Sequence, residues 1–223
     1  MTRPNFHRLR RHLAGWLLLV CTSPALAALS VEDLAERIGA GDPALGATKA
    51  RAAGCMNCHG SGTASTSTPQ LDGQLAGYTL AQIERFKAGQ RSHPQIARDV
   101  SAPSITDAED IAAWFASAAP MRGSGAAANA DMARLFEKGD RSRDVIACVS
   151  CHGANGSGAI SGSDSTPAIG GQSADYLRAR LRSWRAGPQS GAPISVMNLI
   201  TRALGDAEID ALSAWLSQLQ PAP

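Results

Sequence analysis

"CMNCHG" at residues 55–60 and "CVSCHG" at residues 148–153 spell one pattern, Cys-x-x-Cys-His-Gly, twice in a chain of 223 residues. The copies sit in matching surroundings. "TPQLDGQLAGY" (68–78) lies over "TPAIGGQSADY" (166–176), and "FKAG" (86–89) lies over "WRAG" (184–187). "ITDAEDIAAWF" (105–115) lies over "LGDAEIDALSAWL" (204–216). The offset grows along the chain, so insertions fall between the matched blocks, where loops belong. Self-similarity on this scale marks a tandem repeat. Between the halves, "RGSGAAANA" (122–130) reads as a small-residue linker. The expected layout is one domain over 28–122, a linker over 123–130 and a second domain over 131–223.

Each half shows helical periodicity and no convincing strand. Leu177, Leu181 and Trp184 recur at helical spacing, as do Ile209, Leu212 and Leu216. Segments starting at Asp42 and Asn129, ahead of each Cys motif, are further helix candidates. Thr106 with Glu109 predicts a capping box on the last helix of the first half, and Asp206 is the expected cap of its counterpart. The fold class is all-α, with a helix, the Cys motif, a Gly/Ser/Thr loop, a middle helix, another loop and a final helix in each half.

Residues 1–27 form a separate unit. Arg3, Arg8, Arg10 and Arg11 precede the apolar run "LAGWLLLVC", and "ALA" at 25–27 offers a small-residue cleavage site. The run is too short to span a bilayer as a stable helix. The reading is a cleaved export signal, which puts the mature chain in the periplasm; Cys21 belongs to the signal. Its removal takes away four arginines and no acids, turning a net charge of +2 into −2. A clustered basic excess of the kind that binds nucleic acid is therefore missing. With 4% aromatic residues, two small domains would have thin cores if side chains alone filled them.

Four cysteines in two close pairs admit several chemistries. A disulfide suits an exported chain, but a two-residue loop gains little from closure. A redox dithiol with this spacing sits beside a strand in an α/β fold. Zinc takes four ligands, and each motif supplies three at most. Haem attachment accounts for every position. Two thiols add to the two vinyl groups of one haem, and the following histidine ligates its iron. Covalent haem also supplies the apolar body that the side chains lack. The expectation is two haem c groups, one on Cys55, Cys58 and His59 and the other on Cys148, Cys151 and His152.

These motifs, the paired "TPxΦxGQ" blocks, "FKAG/WRAG" and the "AAWF/SAWL" termini resemble the dihaem cytochrome c4 family over residues 42–219. The resemblance implies two class I cytochrome c domains in tandem, each wrapped around one haem. It implies that the carbonyls of Pro69 and Pro167 accept from the ligating histidines, and that Tyr78 and Tyr176 lie near the haem edges. It also implies a methionine as sixth ligand, in the loop before the last helix. Met197 fills that position in the second half. The first half offers "HPQIARDVSAPSI" (93–105), where spacing aligns Arg98 or, with the gap moved, Ile96. Neither ligates iron well. His93 as a second imidazole is one outcome, and an open iron that takes a small ligand is the other. Residues 28–41 lie outside the usual domain and have no assigned role.

The implied function is electron transfer between respiratory partners towards a terminal oxidase, rather than enzymatic catalysis. Alternatives are a haem subunit fed by a periplasmic dehydrogenase, or small-ligand binding at the first haem. Partners expected by class are a membrane oxidase, a quinol-oxidising complex or such a dehydrogenase, with peripheral membrane association compatible with all three. Arg178, Arg182 and Arg185 share a helix face and offer a basic stripe for an acidic partner or for solvent.

Overall fold

A computed structural model describes residues 39–60, 67–161, 164–189 and 192–221. The expected export signal, residues 1–27, and most of residues 28–41 lie outside the described residues. The first half holds α1 (Pro43–Ala52), α2 (Met56–His59), α3 (Ala76–Lys87), α4 (Pro94–Asp99) and α5 (Ile105–Ser117). The second half holds α6 (Ala130–Lys138), α7 (Val149–His152), α8 (Ala174–Ala186), α9 (Val196–Thr201) and α10 (Asp206–Leu216). A short antiparallel hairpin, β1 (Ala159–Ser161) and β2 (Asp164–Thr166), occupies the second half's Gly/Ser/Thr loop, where no strand is legible from sequence.

Caps fix where the helices start. The Asp42 carboxylate accepts from the N–H groups of Ala44 and Leu45 at 2.8 and 3.3 Å, and Asn129 caps α6 through Met132 N–H at 3.1 Å. The capping box of α5 is Ser104 with Asp107, two residues upstream of the expected Thr106 and Glu109. Ser104 has the extended backbone a cap needs, while Thr106 already lies inside the helix. At α10 the cap position is Gly205, not Asp206; Asp206 is the first helical residue and pairs with Arg185. The loops before α5 and α10 each contain an unexpected six-residue helix. Pro94 starts α4 from a first-turn position where its missing N–H costs nothing. Ser195 and Asn198 cap α9 reciprocally.

The two cores differ in substance. In the first half α1 crosses α5 so closely that a Cβ on Gly46 would lie 1.9 Å from the Asp110 carbonyl oxygen. Ala50, Ile111 and Phe115 form one small cluster, and Ala76, Ala112 and Ala116 form another. The second half buries Met132, Leu135, Phe136, Leu177, Leu181, Ile209, Leu212, Trp215 and Leu216 in one continuous cluster. The linker is held against the end of the chain: the N–H groups of Gly123 and Gly125 donate to Leu219 and Gln218 at 2.8 and 2.9 Å.

The basic stripe on α8 is not a free docking face. Arg178 pairs with Asp175 and Asp210, Arg182 with Asp210, and Arg185 with Asp206 and the Leu204 carbonyl. Because α8 packs on α10, the acids of α10 meet the arginines within the chain.

Candidate functional site

Each Cys-x-x-Cys-His forms a single helical turn. The His59 N–H donates to Cys55 at 3.1 Å, and His152 N–H donates to Cys148 at 2.9 Å. That turn puts both thiols and the imidazole of one motif on neighbouring positions. No disulfide joins the four cysteines, and among the described residues no group of three His, Cys, Asp or Glu side chains is arranged to hold a metal ion. His59 Nδ1 lies 2.9 Å from the Pro69 carbonyl oxygen, and His152 Nδ1 lies 3.0 Å from that of Pro167. A carbonyl only accepts, so Nδ1 carries the proton and Nε2 keeps its lone pair. Burial lowers the pKa of both imidazoles, which holds them in the neutral form that ligates metals. Burial also pushes up the Cys55 thiol, and lifts Cys148 to about 11.

One cavity of about 390 Å³ runs across the junction of the halves and reaches the first motif at Cys55, Cys58 and His59 and the second at His152. Cys55, Cys58, His59, Pro69, Tyr78 and His93 line it from the first half, and His152, Pro167, Tyr176 and Met197 from the second. Ile83, Phe86, Ile111, Phe115, Leu177, Leu181 and Trp184 make its walls mainly apolar. Thr79 Oγ1 is buried on the same wall with no hydrogen-bond partner. Thiol pairs, imidazoles with an available Nε2 and apolar walls fit a haem on each motif. Cys55 and Cys58, and Cys148 and Cys151, are the attachment pairs such a group would use. His59 and His152 are its nitrogen donors.

Met197 sits at the second position of α9, half-buried against the large core. Matched cap to cap, its counterpart on α4 is Gln95, rather than Arg98 or Ile96. Gln95 lines the cavity; its amide N–H donates to Asp99 and its carbonyl accepts from Arg98. An amide oxygen is a hard donor, unlike the soft thioether. Ile96 lines the cavity as well, whereas Arg98 points to Gln95. His93 is exposed, stands just before α4 with no capping hydrogen bond from its ring, and borders the same cavity. Of the other methionines, Met56 packs on the Ala50 cluster, Met132 lies in the second core and Met121 is buried beside Gln172.

Two arginines escaped the sequence reading. Arg91 donates to Gln82 at 2.9 Å and to the Tyr176 hydroxyl, in the other half, at 3.1 Å. Arg180 stacks over Trp184 with 4.5 Å to the ring centroid. Neither pairs with a carboxylate among the described residues, and both line the cavity. Burial lowers the Arg180 pKa, and Arg91 adds to the effect. Tyr78 is pushed up to about 12 by burial and then by Tyr176. Two cations beside two tyrosines suit an anionic group, such as a haem carboxylate. Only their side-chain type signals this; nothing in the spacing does.

The family model for cytochrome c matches residues 133–220. The chain is 35% identical to the thiosulfate dehydrogenase electron acceptor of Stutzerimonas stutzeri, covering 78% of this chain and 82% of the relative. It is 31% identical to cytochrome c4 of Pseudomonas aeruginosa, covering 81% and 90%. The crystal structure of reduced recombinant cytochrome c4 from Pseudomonas stutzeri superposes with a TM-score of 0.72 at 30% identity, over 81% of this chain and all of that one. With its paired thiol–imidazole turns, this chain belongs to the cytochrome c4 family of dihaem electron-transfer cytochromes.

Proposed function

We propose that this chain is a periplasmic electron carrier that accepts electrons from a sulfur-oxidising dehydrogenase and passes them towards a terminal oxidase. The observation that carries this reading is the cavity shared by Cys55, Cys58 and His59 of the first turn and His152 of the second, which brings the two sites together at the junction of the halves. The resemblance to a thiosulfate dehydrogenase electron acceptor supports the donor's class. Residues 1–27 serve as the export signal, and 28–122 and 131–223 act as two haem domains joined by 123–130. Haem iron supplies the one-electron couple when bound. The chain's own groups do the rest. Cys55, Cys58, Cys148 and Cys151 hold the two groups, and Pro69 and Pro167 orient His59 and His152. Tyr78, Tyr176, Arg91 and Arg180 meet the carboxylate edges. Met197 would offer a haem in the second half a soft thioether donor, which favours the reduced state.

In the first half no methionine lines the cavity among the described residues, so a haem held there would meet other side chains than one held beside Met197. His93, which would be the sixth ligand by position, and Gln95 stand at that wall together with Arg91, Ser92 and Asp99. A second reading rests on the same observation: haem 1 is open and binds a small ligand. Among the described residues no helix is long and apolar enough to cross a membrane.

The test mixes oxidised holoprotein with thiosulfate dehydrogenase and thiosulfate and follows haem reduction by stopped flow. Reduction at least tenfold faster than with thiosulfate alone supports the reading. Reduction only by a quinol-oxidising complex overturns the donor assignment.

A further inference from the structure

The two "GQ" dipeptides, Gly73-Gln74 and Gly171-Gln172, do something that neither the haem motifs nor the proposed donor explains. Both glycines take positive φ, +69° and +73°, and a Cβ on Gly73 would lie 2.3 Å from Pro120 Cα. That backbone sends the following glutamine into the opposite half. Gln74 Oε1 accepts from Ala168 N–H at 2.9 Å, and Gln74 Nε2 donates to the Ala168 carbonyl at 2.9 Å. Reciprocally, Gln172 Oε1 accepts from Gln70 N–H at 3.0 Å, and its Nε2 donates to the Gln70 carbonyl at 2.9 Å. Each glutamine is 3% exposed.

The peptide unit carrying Ala168 N–H is the one whose carbonyl belongs to Pro167, and that carbonyl accepts from His152 Nδ1 at 3.0 Å. The unit carrying Gln70 N–H likewise ends in the Pro69 carbonyl, which accepts from His59 Nδ1 at 2.9 Å. One peptide plane therefore links each glutamine to the histidine of the other half. Hydrogen bonds in such a chain polarise one another. When Oε1 draws on the N–H, the carbonyl becomes more negative and holds the Nδ1 proton more strongly. The imidazole then becomes a more basic ligand.

We infer that Gln74 and Gln172 are crossed positioning residues: Gln74 tunes His152, and Gln172 tunes His59. The inference rests on the reading that those histidines ligate haem. A more basic imidazole favours the oxidised iron, so loss of the glutamine favours the reduced state in the opposite half.

The experiment is redox titration of holoprotein Gln74→Met and Gln172→Met, isosteric changes without the amide, with the two haems distinguished by paramagnetic NMR. In Gln74→Met the reduced-to-oxidised ratio of the second-half haem at fixed potential rises about threefold to tenfold, and tenfold is 59 mV for one electron. The first-half haem stays within about twofold. Gln172→Met does the converse. Shifts confined to the variant's own half, equal shifts in both or no shift overturn the inference. A mass carrying two haems in each variant separates these outcomes from failure of the haem reading, which a haem-free chain would reveal. Should neither variant accumulate, wild-type hydrogen exchange decides. The Ala168 and Gln70 amides exchange as slowly as those of α5 and α10, and exchange at loop rates overturns the inference.

Discussion

The halves share a plan and differ in what fills it. The second half surrounds its haem site with a leucine-rich core that includes Phe136 and Trp215, and presents Met197 to the cavity. The first half has two small clusters, largely alanine, and presents His93, Gln95 and Ile96 where a methionine would stand. Duplicating a fold thus does not duplicate its chemistry. The Cys-x-x-Cys-His turn and the Pro carbonyl are retained in both, while the wall that carries Met197 in the second half is rebuilt in the first. Among the described residues the second half holds the larger apolar core.

The largest test of that difference exchanges the ligand. Met197→Leu keeps the volume and removes the sulfur, so the reduced protein should bind one more carbon monoxide per chain than wild type. Unchanged stoichiometry would mean that Met197 is a core residue only. Next in size is packing. Guanidinium should unfold the first half before the second, as read by helix-specific hydrogen exchange. Phe136→Ala, truncating a ring 2% exposed, should cost about 3–5 kcal/mol and bring the two transitions together. A single transition in wild type would show that the junction, rather than either core, sets stability.

A smaller effect concerns the clamp between α1 and α5. Lys49 bridges Asp107 and Asp110, and Asp110 also accepts from Asp42 N–H at 2.7 Å. Lys49, and then the Asp42 N–H, hold the Asp110 carboxyl below its ordinary value of 3.8. A depressed carboxyl stabilises the fold above its unfolded pKa, and that contribution is lost as pH falls through the folded value. Lys49→Met should therefore be less stable than wild type at pH 7, with the gap closing below about pH 4 in acid titrations. A gap independent of pH would point to packing of the lysine stem instead. The smallest effect is expected on α8. Since Arg182 already pairs with Asp210, Arg182→Gln should alter the rate of electron uptake from a redox partner less than twofold. A large, salt-dependent loss would restore the stripe as a docking face.

Much of this was legible in the chain. The 3.6-residue spacing of Leu177, Leu181 and Trp184 located α8 because those side chains face a core. Asp42 and Asn129 announced their helices because short polar side chains satisfy first-turn N–H groups. The misses share a cause. Gln95 faces Met197's equivalent wall because the helices start alike, but loops of unequal length hide that register from a linear alignment. The "GQ" repeat was visible, yet the peptide that each glutamine grasps lies about a hundred residues away, and no local periodicity reports it. Arg91 and Arg180 look like any surface arginine until the fold sets them, half-buried, beside the cavity. The hairpin at 159–166 rests on pairing within a Gly/Ser/Thr loop that has no alternating pattern.

Low-temperature electron paramagnetic resonance of the oxidised holoprotein tests the unequal halves most directly. Two unlike signals are expected, one from a histidine–methionine iron and one from an iron with a different axial set. Two identical histidine–methionine signals would contradict it.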